Sequence, residues 1–197
     1  MQHAKRKRQG ARTDASTCRA RLVDTARQLF TRRGAANVGI NDVTDSAGVA
    51  RMTLYNNFPS KEALIVAVYQ DMADSTLRTL DAQSTGMRSE RKRIEAFFDH
   101  FGKRSRSADF RGCSLIHASF QEEVPLGPVY AVVQAYKRAL RERVYRALDD
   151  KRKGRGELAD QILILLDGAV TEAYLKGVAD AIGAARRAAV ALIGMPR

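Results

Sequence analysis

The chain has 197 residues, with 34 Lys and Arg against 22 Asp and Glu and a formal net charge of +12. That length holds one or two domains and buries roughly 70% of the surface the unfolded chain exposes, so folding needs no disulfide framework or structural metal. An apolar share of 45% excludes wholesale disorder. No run reaches the ~18 uninterrupted apolar residues of a membrane helix, and MQHAKRKRQGAR has no apolar stretch behind its charge as a secretory signal would.

The first element is a basic arm, expected to be disordered over residues 1–14, with Lys5, Arg6, Lys7, Arg8 and Arg12. Residues 1–61 hold 12 Lys/Arg and 4 Asp/Glu, an excess of +8, while the rest of the chain carries +4. A block of this kind suits a polyanion such as nucleic acid, or equally a solvated tail. Leu22, Val23, Ala26, Leu29 and Phe30 then recur at helical spacing up to Gly34. Residues 40–46 and 50–56 read as two short helices joined by a tight turn at Gly48, where a left-handed residue is required. A long helix follows from Ser60, which is placed to cap it, to about Leu80. Gln83–Ser89 reads as a linker.

Beyond it, Ile94, Phe97, Phe98 and Phe101 mark an amphipathic helix broken at Arg111-Gly112. Cys113, Ile116, His117 and Phe120 repeat the spacing in a shorter one. Pro125 and Pro128 punctuate a turn before a helix from Val129 to Leu148, and KRKGRG over 151–156 reads as a basic loop. Two helices close the chain, over 157–176 and 178–194. The first is apolar on more than one side, and the second is rich in Ala and Gly. Such surplus apolar surface points to self-association as a homodimer through both helices, the alternative being an internal core pair. No segment alternates with period two. The expected fold is therefore all-α: an N-terminal three-helix unit over 15–61 with a helix–turn–helix over 39–58, then a larger helical domain over 62–197, about nine helices in all.

The turn unit carries the chemistry. Val49 and Leu54 anchor the second short helix, whose outer face presents Arg51, Thr53, Tyr55, Asn56 and Asn57, the residue types that reach base edges and phosphates. Met52 stands among them, placed to pack or to meet a thymine methyl. The stretch INDVTDSAGVARMTLYNNFPSKEAL, Ile40–Leu64, closely resembles the DNA-binding signature of the tetracycline-repressor (TetR) family, AGVS-x-x-TLY-x-x-F-x-SKE-x-L preceded by two spaced aliphatic residues. Ile40, Val43, Ala47, Gly48, Val49, Thr53, Leu54, Tyr55, Phe58, Ser60, Lys61, Glu62 and Leu64 match it. Ala50 departs from it, where Ser is usual, and so do Asn57 and Gly39.

The resemblance implies a regulator of transcription without enzymatic activity or membrane contact, and two cysteines 95 positions apart, Cys18 and Cys113, suggest no disulfide framework and point to a cytoplasmic setting. Arg51, Met52, Thr53, Tyr55, Asn56, Asn57 and Lys61 would face a palindromic double-stranded operator. The C-terminal helices would enclose a small-molecule effector, apolar or aromatic, whose binding releases the DNA. Phe97, Phe101, Cys113, Ile116, His117, Phe120, Tyr136 and Tyr174 are the candidate lining residues, although each also suits plain core packing. No cofactor or metal is expected, because Cys113 and His117 offer two ligands where a structural zinc takes four. Three alternatives stand beside this reading: a thiol redox sensor acting through Cys113, an enzyme with Cys113 as nucleophile and His117 as base, and a sequence-independent DNA-packaging protein.

Overall fold

The computed structural model describes residues 2–121, 126–178 and 180–195, with side chains from residue 17 onward. The basic arm expected to be disordered over 1–14 is instead, from residue 2, the first part of helix α1, described in its backbone alone, and the punctuating Pro125 lies outside the described residues. Nine α-helices and no strand appear among the described residues: α1 Gln2–Arg33, α2 Ile40–Ala47, α3 Arg51–Asn57, α4 Lys61–Ser84, α5 Glu90–Ser105, α6 Ser114–Phe120, α7 Pro128–Ala147, α8 Arg155–Leu175 and α9 Ala181–Gly194. No helix among these residues is long and apolar enough to cross a membrane.

Local chemistry sets where the helices begin and end. The Ser60 hydroxyl accepts from the Ala63 N–H at 3.1 Å and starts α4. Ser89 does the same for Lys92 at the start of α5, at 3.4 Å. Pro128 opens α7, where its missing N–H costs nothing. Several boundaries differ from the sequence reading. Helix α4 continues to Ser84, so the linker shortens to residues 85–89. Helix α5 ends at Ser105, and residues 106–113 form a loop before α6. Arg155 and Gly156, read as loop, open α8 after Gly154 turns the chain left-handed. Helix α9 starts at Ala181 rather than Val178, because the Asp180 carboxylate caps it by accepting from the Gly183 N–H at 3.1 Å.

Helices α1, α2 and α3 pack around Leu22, Ala26, Phe30, Val43, Leu54 and Phe58, and this core runs on into α4 through Leu64 and Val68. In the second unit α5 and α7 pack on α4, α8 packs on α7 and α5, and α9 packs on α5 and α8. Ion pairs tie its helices together: Arg143 with Asp81 at 2.7 Å, Arg141 with Asp160 at 2.6 Å, and Lys137 with Asp167. The most sheltered is Arg152 with Glu90 at 2.6 Å, 17% and 16% exposed respectively. Glu90 also accepts the Asp149 N–H at 2.6 Å, while Arg152 donates to the Ile193 carbonyl at 2.7 Å. One residue pair thus holds the start of α5, the α7–α8 loop and the end of α9.

Candidate functional site

Gly48 sits between α2 and α3 with φ +63°, a conformation that a side chain resists, and its N–H reaches back to the Asp45 carbonyl at 3.2 Å. Helix α2 starts at Gly39, which has no side chain to cap with. Asp42 compensates by accepting the Gly39 N–H at 2.7 Å. The same carboxylate pairs with Arg33 at 3.2 Å, and Arg33 also donates to the Asn37 carbonyl at 3.0 Å. The Gly39 N–H first, and then Arg33, hold the Asp42 carboxyl below its ordinary range. Arg33 and Asp42 therefore fix the end of α1 against the start of α2.

Helix α3 turns Leu54 inward, fully buried, and Phe58 closes the same core. Its opposite side presents Arg51, Met52, Tyr55 and Asn56 to solvent, with Met52 68% exposed. The Arg51 guanidinium lies over the Tyr55 ring at 5.6 Å and 3.5 Å from its hydroxyl, so the two form one cationic and aromatic unit. Thr53 and Asn57 are half-buried, and the Asn57 amide donates to the Thr53 carbonyl at 2.8 Å. Lys61 sits at the first position of α4, with its ammonium 3.4 Å from the Ala36 carbonyl. Ala50 precedes α3 in an extended conformation without any side-chain cap. Arg19, which the sequence reading did not single out, brings its guanidinium to 4.6 Å over the Phe58 ring. A separation of 39 positions in the chain left no pattern by which to find it.

The second site is a cavity of about 110 Å³ between α4, α5, α6, α7 and α8. Phe101, Cys113 and Tyr136 line it as the sequence candidates among its walls, together with Met72, Thr76, His100, Arg104, Phe110, Leu115, Leu140, Leu166, Asp167 and Val170. The other candidates lie elsewhere. Phe97 is packed in the core and Ile116 lies against it, half-buried. His117 and Tyr174 meet edge to face at 5.8 Å beside Gly112, outside the cavity. Phe120 is 80% exposed on the last turn of α6, because the face of α6 that packs inward carries Leu115 and Ala118 instead.

Burial sets the titration of this site. It raises the Cys113 thiol, against the opposing pull of the Ile116 and Leu115 N–H groups. It raises the Tyr136 phenol as well, helped by the nearby Cys113 and Asp167. It lowers His100, assisted by the charges of Lys103 and Arg104. The arrangement does not make a nucleophile and base of Cys113 and His117. The thiol stays protonated in the cavity wall while the imidazole stands outside against Tyr174. Among the described residues, no group of three or more His, Cys, Asp or Glu is placed to hold a metal ion.

Residues 22–68 match the family model described as bacterial regulatory proteins, tetR family. Among curated proteins, the chain is similar to the transcriptional regulator EthR of Mycolicibacterium smegmatis, 29% identical over 110 residues, which is 52% of this chain and 50% of that protein. It is also similar to the transcriptional activator FasR of the same organism, 32% identical over 47% of this chain and 44% of FasR. The chain thus spans about half the length of the curated relatives it matches. Over nearly its whole length it resembles SCO4454, a TetR-family transcriptional regulator from Streptomyces coelicolor, with a TM-score of 0.82, 26% identity, and coverage of 91% of this chain and 97% of that one. The reduced form of NemR from E. coli shares the fold at a TM-score of 0.78 with 20% identity, over 88% and 95% of the two chains. The matched signature, the left-handed turn at Gly48 and the layering of a larger helical domain on α4 agree: the chain belongs to the TetR family of transcriptional regulators.

Proposed function

We propose that this protein is a sequence-specific DNA-binding regulator, a repressor that dissociates from its operator when a small molecule enters the cavity of the helical domain. The exposed face of α3 carries the reading. It places Arg51, Met52, Tyr55 and Asn56 outward on a helix whose other side is locked by Leu54 and Phe58. A helix so mounted fits the major groove, with Tyr55 and Arg51 for base edges and phosphates and Lys61 for the backbone alongside.

The second unit provides for two such helices and for their control. Ile164, Gly168, Thr171 and Leu175 make an exposed stripe along α8, and Ala184, Ala188, Ala191 and Met195 make another along the neighbouring α9. Small residues flanked by large apolar ones suit close packing against a second copy about a two-fold axis, which would set two α3 helices one DNA turn apart, ~34 Å. Helix α4 is the link to the cavity. It carries Lys61 in the DNA-binding unit and Met72 and Thr76 in the cavity wall, a rigid span of about 16–22 Å. A ligand that prefers a displaced α4 favours the wrong spacing of the α3 pair and lowers DNA affinity.

Footprinting on the DNA that flanks the protein's own coding region tests the reading. We expect protection with two-fold symmetry and a preference over random duplex of about 10³-fold or more. Equal binding to every duplex would replace the regulator with a packaging protein.

A further inference from the structure

The cavity is the inner of two chambers. Met72, Thr76 and Arg104 line it, and the same three residues line a cleft of about 320 Å³ that opens between α1, α4 and the α5–α6 loop. The far wall of this outer cleft is α1 itself, through Arg27, Gln28, Thr31 and Arg32. Whatever fills both chambers therefore touches the sensor domain and the first helix of the DNA-binding unit at once.

The two chambers differ in chemistry. The inner walls are mainly apolar, and Asp167 at their edge is already paired with Lys137. Burial, and then the charges of Lys103 and Arg104, lower His100 below the ordinary imidazole range. Tyr136 is 4% exposed, and no hydrogen bond to its hydroxyl occurs among the described residues, so it offers an unspent donor to an oxygen on a bound molecule. A volume of about 110 Å³ is of the order that a single ring needs, given that an apolar cavity of ~150 Å³ takes benzene. The outer cleft brings three guanidinium groups, Arg27, Arg32 and Arg104, against the one carboxylate of Asp109. Arg27 is held by Asp24 and lies 3.7 Å from Asp71. Arg104 meets Asp109 at only 3.4 Å and is half-exposed, a weak pair that a better acceptor displaces. Arg32 enters no ion pair among the described residues.

We propose that the effector is a small amphipathic carboxylate, its apolar body in the inner chamber beside Tyr136 and its anionic group on Arg104 in the outer cleft, with Arg32 completing the charge. Guanidinium and carboxylate match in geometry and form charge-assisted pairs, which is what a mouth of this composition selects. The inference rests on the reading that this cavity receives the effector, and it specifies the ligand class. It also gives the ligand a direct hold on α1.

Calorimetric titration of the full chain without DNA tests it. The probes are phenylacetate, 3-phenylpropionate and 4-phenylbutyrate, each against the alcohol of the same carbon skeleton. At least one acid should bind tenfold or more tightly than its alcohol. Arg104→Met should remove that preference while leaving the alcohol's affinity within about twofold. Arg32→Met, at an exposed position, should cut it severalfold and serves if the first variant fails to fold. Acids that bind no better than alcohols, no binding by either series, or a preference that survives both substitutions would each overturn the proposal. Adding the footprinted duplex separates the two ideas. An acid that binds through Arg104 yet leaves DNA affinity unchanged keeps the ligand class and defeats release by ligand. A protein that footprints its operator but takes none of the acids defeats the ligand class and keeps the DNA-binding regulator.

Discussion

Tyr55 and Lys61 act differently on the proposed DNA face. Tyr55 is a rigid amphipathic side chain already stacked with Arg51, so its truncation removes two contacts and frees a cation. Tyr55→Ala is expected to weaken binding to the footprinted duplex by about 1–3 kcal/mol, a factor of roughly five to 150. Lys61 makes only a long bond to the Ala36 carbonyl, 3.4 Å, and gives it up readily for a phosphate. Lys61→Ala should weaken binding more evenly across sequences and reduce the slope of log K against log salt by about 1. Fluorescence anisotropy at several salt concentrations measures both, with circular dichroism as a check on folding. If both variants bind as the parent does, α3 does not face DNA in this way. Cys113 gives a prediction of opposite character. Its folded pKa is raised, so the stability it contributes is complete below the unfolded thiol value, ~8.5, and is lost as pH rises above it. Between pH 8 and pH 10 the parent should lose denaturant resistance faster than Cys113→Ser. Iodoacetamide should also label this thiol much more slowly than a free one, and fast labelling would restore the redox-sensor alternative.

At the level of single helices, α3 is the least supported element of its unit. It has seven residues, no side-chain cap at Ala50, and its only fully buried side chain is Leu54. Ala50 already has the extended backbone of a cap, with φ −69° and ψ 148°. Ala50→Ser should therefore stabilise the chain by about 0.5–1 kcal/mol, a rise of about 1–4 °C in Tm for a domain of this size, read by thermal unfolding. No change would show that α3 is held wholly by its burial. Glu90→Gln tests the other end of the molecule. It leaves Arg152 with one fewer anionic partner in a sheltered place, and about 1–3 kcal/mol should be lost. The same scale explains what could be read in advance. The helix–turn–helix was legible because its determinants are local: Gly48 in the turn, Leu54 and Phe58 at helical spacing, Ser60 at the cap. The cavity was not, because five helices contribute to it and each apolar stripe serves two neighbours. Phe97 and Phe101 share a stripe, yet one fills the core and the other lines the cavity. Nothing in the sequence marked His100, Arg104 and Asp167, and only the packing of α5 against α8 brings them to one cavity wall. Glu90 and Arg152 are 62 positions apart, and only the tertiary arrangement joins them.

The proposed function poses a geometric problem at the scale of the whole molecule. One α3 helix would reach only a few base pairs, and two held at a fixed spacing would multiply their selectivity. The exposed stripes on α8 and α9 are the means available for that. Ile164 is 71% exposed and Leu175 64%, on helices whose opposite faces are fully packed, so burial against a copy is the economical outcome. The neighbouring positions Gly168, Ala184, Ala188 and Ala191 leave room for backbones to approach. In the proposed dimer a charge placed there would be buried without a partner, while the monomer's core is untouched because the position is already solvent-facing. Ala188→Glu should therefore leave helicity and unfolding cooperativity intact. It should change the mass in light scattering from about twice the chain's 21.8 kDa to that of one chain. Operator binding should fall by at least a hundredfold, and the footprint should shrink to one half-site or vanish. A variant that scatters as a dimer would move the interface off α9, whereas a monomer that still protected the full symmetric site would show that the two α3 helices are paired by the DNA and not by the protein.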